Sequence, residues 1–208
     1  MDTVTLNQGI YANISSEGVA ISDINSKNSE GNSALHIATV QGNIEKVRLL
    51  LQHGAEVNVV NNLWLTPLHY AVNCGWNEIV QMLLDHGAKV NALNNFDFTP
   101  LHYAANQGEI KIAKLLIEKR APLNIQNMFG QTPLHCASNH KHFKFNCEDC
   151  RSQYKYCSVS HGRIEVVKLL IEKGAKLYLE DEDGCTALDL ARNKGFEEVV
   201  NLLEANKK

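Results

Sequence analysis

The chain has 208 residues, 44% of them hydrophobic, and a formal net charge of −3 from intermixed acidic and basic side chains. That is enough apolar material for a buried core, which excludes a largely disordered chain. It also leaves no basic stripe of the kind that nucleic-acid binding requires. No apolar run approaches the roughly 18 residues of a membrane span, and Met1 to Tyr11 lacks the basic start and apolar block of a secretory signal.

Residues 1–24 contain Gly9, Gly18 and the pair Ser15-Ser16 without a helical stripe, so they read as an N-terminal tail or a degenerate cap. From residue 25 onward the chain repeats itself. Ser33-Ala34-Leu35-His36, Thr66-Pro67-Leu68-His69, Thr99-Pro100-Leu101-His102 and Thr132-Pro133-Leu134-His135 follow one another at intervals of 33 residues. A fifth copy, Thr186-Ala187-Leu188-Asp189, comes 54 residues later, so 21 residues are extra there.

Each motif predicts a helix start. The hydroxyl caps the first turn, and proline suits the first helical position because its missing N–H would have had no partner. A glycine follows (Gly42, Gly75, Gly108, Gly162, Gly195) and is expected to end that short helix in a left-handed conformation. A second helix then carries one apolar stripe: Val47, Leu50 and Leu51; Val80, Leu83 and Leu84; Val167, Leu170 and Ile171. Gly54-Ala55, Gly87-Ala88 and Gly174-Ala175 close it, and the Asn-, Asp- and Gly-rich residues between units suit a hairpin turn.

The Thr-Pro-Leu-His-x-Ala signature, the 33-residue period and the Gly-Ala ending resemble those of ankyrin repeats. The resemblance implies an all-α repeat solenoid with hairpin fingers along one edge. Its units are expected at about 28–60, 61–93, 94–126, 127–180 and 181–208, within a domain over 25–208. Each unit would touch only its neighbours. One histidine per unit at a fixed column implies a packing role rather than catalysis or metal binding. Glu204, at a position that is apolar in other units, together with Lys207 and Lys208, reads as a polar capping unit.

Three positions depart from the pattern. Arg120 stands where other units have Gly54, Gly87 and Gly174. Trp64 and Asp97 stand where other fingers have Gly31, Gly130 and Gly184. Asp tolerates a left-handed backbone, whereas Trp resists it, so the second finger is expected to turn differently.

The family binds partners with its fingers and the open face of its first helices. Transferred here, that implies Leu63, Trp64 and Leu65 in the second finger, Phe96 and Phe98 in the third, and Met128 and Phe129 in the fourth. Tyr70 and Tyr103, with Ile37 and Cys136, would form the exposed column of the first helices. A contiguous apolar stripe there marks an interaction surface; the competing reading folds these side chains back onto neighbouring fingers. Asn61, Asn62, Asn94, Asn95 and the acidic run Asp181-Glu182-Asp183 would add polar complementarity.

The insert covers about residues 139–160 and contains Cys147-x-x-Cys150, then Cys157, then His161 just beyond it. Four such donors match a tetrahedral zinc site that would order a short insert; the other reading is a plain loop with free thiols. No phosphate loop, nucleophile elbow or His-Glu-x-x-His is present. The expectation is therefore a non-catalytic, monomeric, cytoplasmic scaffold (nuclear or host-cell cytosol being alternatives) that binds a protein partner without cofactor, nucleic acid or membrane. The alternative is a metal- or redox-responsive adaptor acting through the insert.

Overall fold

A computed structural model describes residues 24–139 and 158–207, with the backbone alone for 158–162. Among these residues ten helices occur in five consecutive pairs: α1 (Ala34–Val40) with α2 (Ile44–Gln52), α3 (Pro67–Asn73) with α4 (Asn77–Asp85), α5 (Pro100–Gln107) with α6 (Ile110–Glu118), α7 (Pro133–Ser138) with α8 (Ser158–Glu172), and α9 (Ala187–Lys194) with α10 (Glu197–Ala205). The first helices stack one on the next, and so do the second helices, giving two parallel layers. The fold is an all-α repeat solenoid.

Each first helix begins as its sequence dictates. Ser33, Thr66, Thr99 and Thr132 accept a hydrogen bond from the backbone N–H three residues on, and the histidine there bonds back to the cap backbone. Pro67, Pro100 and Pro133 occupy the first turn. Leu35, Leu68, Leu101 and Leu134 are each at most 1% exposed, forming a column through the stack with Val47, Val80, Leu83, Leu116, Val167 and Leu170. Each such leucine contributes roughly 1.5–3 kcal/mol by leaving water. The helices are too short to persist alone, so stability lies in the stacking.

Two expectations are corrected. Gly162 does not end a first helix: α7 stops at Ser138, with Asn139 extended (φ −124°, ψ 113°), and α8 runs through Gly162 for 15 residues. Among the described residues, the fourth unit shows no tight left-handed turn of the kind that Gly108 and Gly195 make at their helix ends. The second finger does not turn differently either. Trp64 takes φ 58°, close to Asp97 at 59° and Gly130 at 68°. The turn is imposed by bonds around it, and the tryptophan conforms.

Candidate functional site

The fingers are assembled by a column of residues spaced like the helix motif. Asn28, Asn61, Asn94, Asn127 and Asp181 each begin a turn in which the N–H three residues on donates to their carbonyl. Their side-chain Oδ1 accepts two further N–H groups, two and four residues on. For Asn61 the donors are Leu63 and Leu65, both at 3.0 Å; for Asn94 they are Phe96 at 3.0 Å and Phe98 at 2.9 Å. Asn28, Asn127 and Asp181 do the same. Adjacent fingers are then joined tip to tip, as Asn62, Asn95, Met128 and Glu182 donate their N–H to the carbonyls of Glu30, Leu63, Phe96 and Phe129. A Cβ on Gly130 would come within 2.7 Å of the Glu182 nitrogen, so a side chain there would require the fifth finger to shift.

This frame divides the expected binding residues. Trp64 is 61% exposed, Met128 47%, Leu63 42% and Phe129 41%. Phe96 is half-buried and stacks on Phe129 with ring centroids 6.5 Å apart. Leu65 and Phe98, expected at the surface, are instead core residues at 3% exposure. They sit between the left-handed turn residue and the helix cap, where the N–H donates to Oδ1 of the turn asparagine and the carbonyl meets both that asparagine's N–H and the histidine of the preceding unit, which leaves the side chain facing the core. Tyr103 is corrected likewise: it is buried, its hydroxyl accepts from Asn94 Nδ2 at 3.0 Å, and its ring meets His69 edge-on. Burial pushes its hydroxyl pKa up. Cys136 is buried, its thiol pushed up to about 12 by desolvation, while Tyr70 and Ile37 are only half-buried. The first-helix column is thus mostly packing between units. Asn61 and Asn94 are buried turn staples rather than partner contacts.

The histidines complete that packing. In His69, Nδ1 accepts the Thr66 backbone N–H at 3.1 Å and Nε2 lies 3.2 Å from the Phe98 carbonyl of the next unit. His36, His102 and His135 reach the carbonyls of Leu65, Gln131 and Cys185 in the same way. Because Nδ1 receives an N–H, the ring is neutral with its proton on Nε2. Desolvation agrees, lowering His36, His69 and His102 from 6.5 to about 4 and His135 in the same direction.

Of the expected zinc donors, Cys147, Cys150 and Cys157 lie outside the described residues, and His161 falls in α8 where only the backbone is described. Among the described residues no group of three or more His, Cys, Asp or Glu is arranged to hold a metal. A cleft of about 330 Å³ lies between α8 and α10, lined by Arg163, Ile164, Phe196, Glu197 and Glu198. The guanidinium Nε of Arg163 donates to the Asn106 carbonyl at 2.8 Å, so this arginine ties α8 to the end of α5.

Comparison with known proteins matches a model of ankyrin repeats in three copies to residues 11–94 and 88–151, more than half of the chain. The chain belongs to the ankyrin-repeat family. Ankyrin repeats generally mediate protein–protein interaction, and the family is typically non-catalytic. A 58-residue stretch of this ankyrin-repeat chain is 43% identical to the E3 ubiquitin-protein ligase hecd-1 of Caenorhabditis elegans, covering 26% of the chain and 2% of the ligase. A 40-residue stretch is 52% identical to the putative ankyrin repeat protein YahD of Escherichia coli (strain K12), covering 19% of the chain and 20% of YahD. The chain thus spans only a small part of either relative. No helix among its described residues is long and apolar enough to cross a membrane.

The sequence reading missed the turn-staple column of Asn28, Asn61, Asn94, Asn127 and Asp181, although its spacing repeats that of the helix motif. An asparagine in a hairpin reads equally as turn chemistry or as an exposed contact; only the bonds separate the two.

Proposed function

We propose that this ankyrin-repeat chain is a non-catalytic scaffold that grips a protein partner with its finger tips. The observation that carries the reading is the pair of apolar tips, Leu63-Trp64 and Met128-Phe129, each side chain more than 40% exposed on a frame held by backbone bonds. Large apolar groups on a rigid support are suited to binding, because little conformational freedom remains to be lost on association. Aromatic and Met side chains are also enriched in the centres of protein interfaces. About half of each group's surface remains to be buried, so the four give a gross gain of roughly 3–6 kcal/mol, set against about 4–15 kcal/mol for association. Polar complementarity must therefore add to the apolar contacts.

The test is affinity capture with the full chain as bait. Trp64→Gly keeps the left-handed turn, and Phe129→Ala trims the second tip. The double variant is expected to lose proteins that wild type retains, while Leu49→Ala, an exposed change on α2, leaves the captured set unchanged. Identical capture by wild type and the double variant removes the finger tips from the interface.

A further inference from the structure

The exposed tips alternate in chemistry along the row. The first tip, residues 29–31, presents Glu30; the second, 62–64, presents Leu63 and Trp64; the third, 95–97, presents Asp97. The fourth, 128–130, presents Met128 and Phe129, and the fifth, 182–184, presents Glu182 and Asp183. Phe96 does not break the order, since it is half-buried against Phe129. None of these tips contains Lys or Arg. No ion pair among the described residues involves Glu30, Asp97, Glu182 or Asp183. The row is therefore acidic, apolar, acidic, apolar, acidic, with its order fixed by the tip-to-tip backbone bonds.

Building on the reading above, we propose that this row docks an extended peptide segment in which basic and large apolar residues alternate every third position. Stacked helices set neighbouring units about 8–10 Å apart. An extended chain advances about 3.3 Å per residue, so one unit corresponds to roughly three residues. A peptide laid along all five tips would place basic residues at its first, seventh and thirteenth positions and apolar ones at its fourth and tenth. The carboxylates flank each apolar tip, so a basic residue on either side of a buried Leu or Phe finds a carboxylate held in none of the ion pairs above, Glu30 accepting among the described residues only from Asn32 Nδ2. The same carboxylates repel nucleic-acid phosphates and anionic lipid headgroups, which favours a basic peptide over either surface.

The experiment uses the full chain and four labelled 13-residue peptides in fluorescence anisotropy. One carries Arg at positions 1, 7 and 13 and Leu at 4 and 10 on a Gly-Ser background. The second replaces Arg by Glu, the third replaces Arg by Gln, and the fourth has the composition of the first with charged and apolar residues alternating at every second position. The first is expected to bind at least tenfold more tightly than the others. Its binding should weaken at least fivefold between 50 and 300 mM salt, as exposed ion pairs are screened. Asp97→Lys should reduce it about tenfold, and Trp64→Gly should do the same while leaving the circular dichroism spectrum unchanged. Equal binding of the Glu peptide or of the respaced peptide overturns the proposal. Equal binding of the Gln peptide overturns the charge pattern and leaves the apolar tips as the site. If no peptide binds, the proposal fails; whether protein capture still depends on Trp64 and Phe129 then decides the scaffold reading separately.

Discussion

Arg120 takes the left-handed backbone that Gly54, Gly87 and Gly174 take in other units, with φ 66°. Nothing lies within 4 Å of a Cβ built on those glycines, so the cost at Arg120 is conformational rather than one of crowding. Arg120→Gly is expected to raise stability by about 1 kcal/mol, read as a higher urea midpoint at unchanged slope. The buried histidines contribute to pH dependence. Their folded pKa values lie below 6.5, at about 4 for His36, His69 and His102, because burial disfavours the charged ring. Above pH 6.5 the ring is neutral in both states and the stabilising arrangement is intact. As pH falls from 6.5 toward 4 the unfolded chain takes up the protons first, and stability drops by up to about 1.4 kcal/mol per pH unit for each histidine. Urea melts at pH 7, 6, 5 and 4 should show this acid loss, and His69→Gln should flatten it. A melt independent of pH over that range would contradict the neutral-ring assignment.

At the scale of the finger, one asparagine does more than the next. Asn94 staples its turn and also donates Nδ2 to the Tyr103 hydroxyl, whereas Asn127 Nδ2 is buried without a partner because Cys136 occupies the tyrosine position. Asn94→Ala is expected to cost about 2 kcal/mol more than Asn127→Ala, measured by chemical denaturation of the two variants. The comparison also shows what could be read in advance. The helix pairs were legible because period, cap, proline and apolar stripe all point one way. Which finger residues face water was not. Leu63, Trp64 and Leu65 are consecutive and all apolar, and only the left-handed turn at Trp64, with the bonds that tie the Leu65 main chain to Asn61 and His36, sends Leu65 inward. Gly162 misled for the opposite reason: its column predicts a turn, but the residue lies inside α8, which has already begun at Ser158.

Across the whole molecule, the buried leucines form one continuous core without a separable centre. Stability in such an array is close to a sum of unit and nearest-neighbour terms. Leu101→Ala, at a fully buried position in the middle unit, should cost about 2–5 kcal/mol. It is also expected to uncouple the two sides, so that hydrogen exchange resolves two blocks of protection where wild type shows one. Leu188→Ala, in the fifth unit, should loosen that unit alone. The joints between units have a further property. Each histidine ring reaches a main-chain carbonyl, and the four residues that supply it are Leu65, Phe98, Gln131 and Cys185. An aliphatic, an aromatic, an amide and a thiol serve the same latch, because the latch never consults the side chain. The residue at that position can therefore change its packing beneath the finger without opening the joint between units, since what the latch holds is main chain.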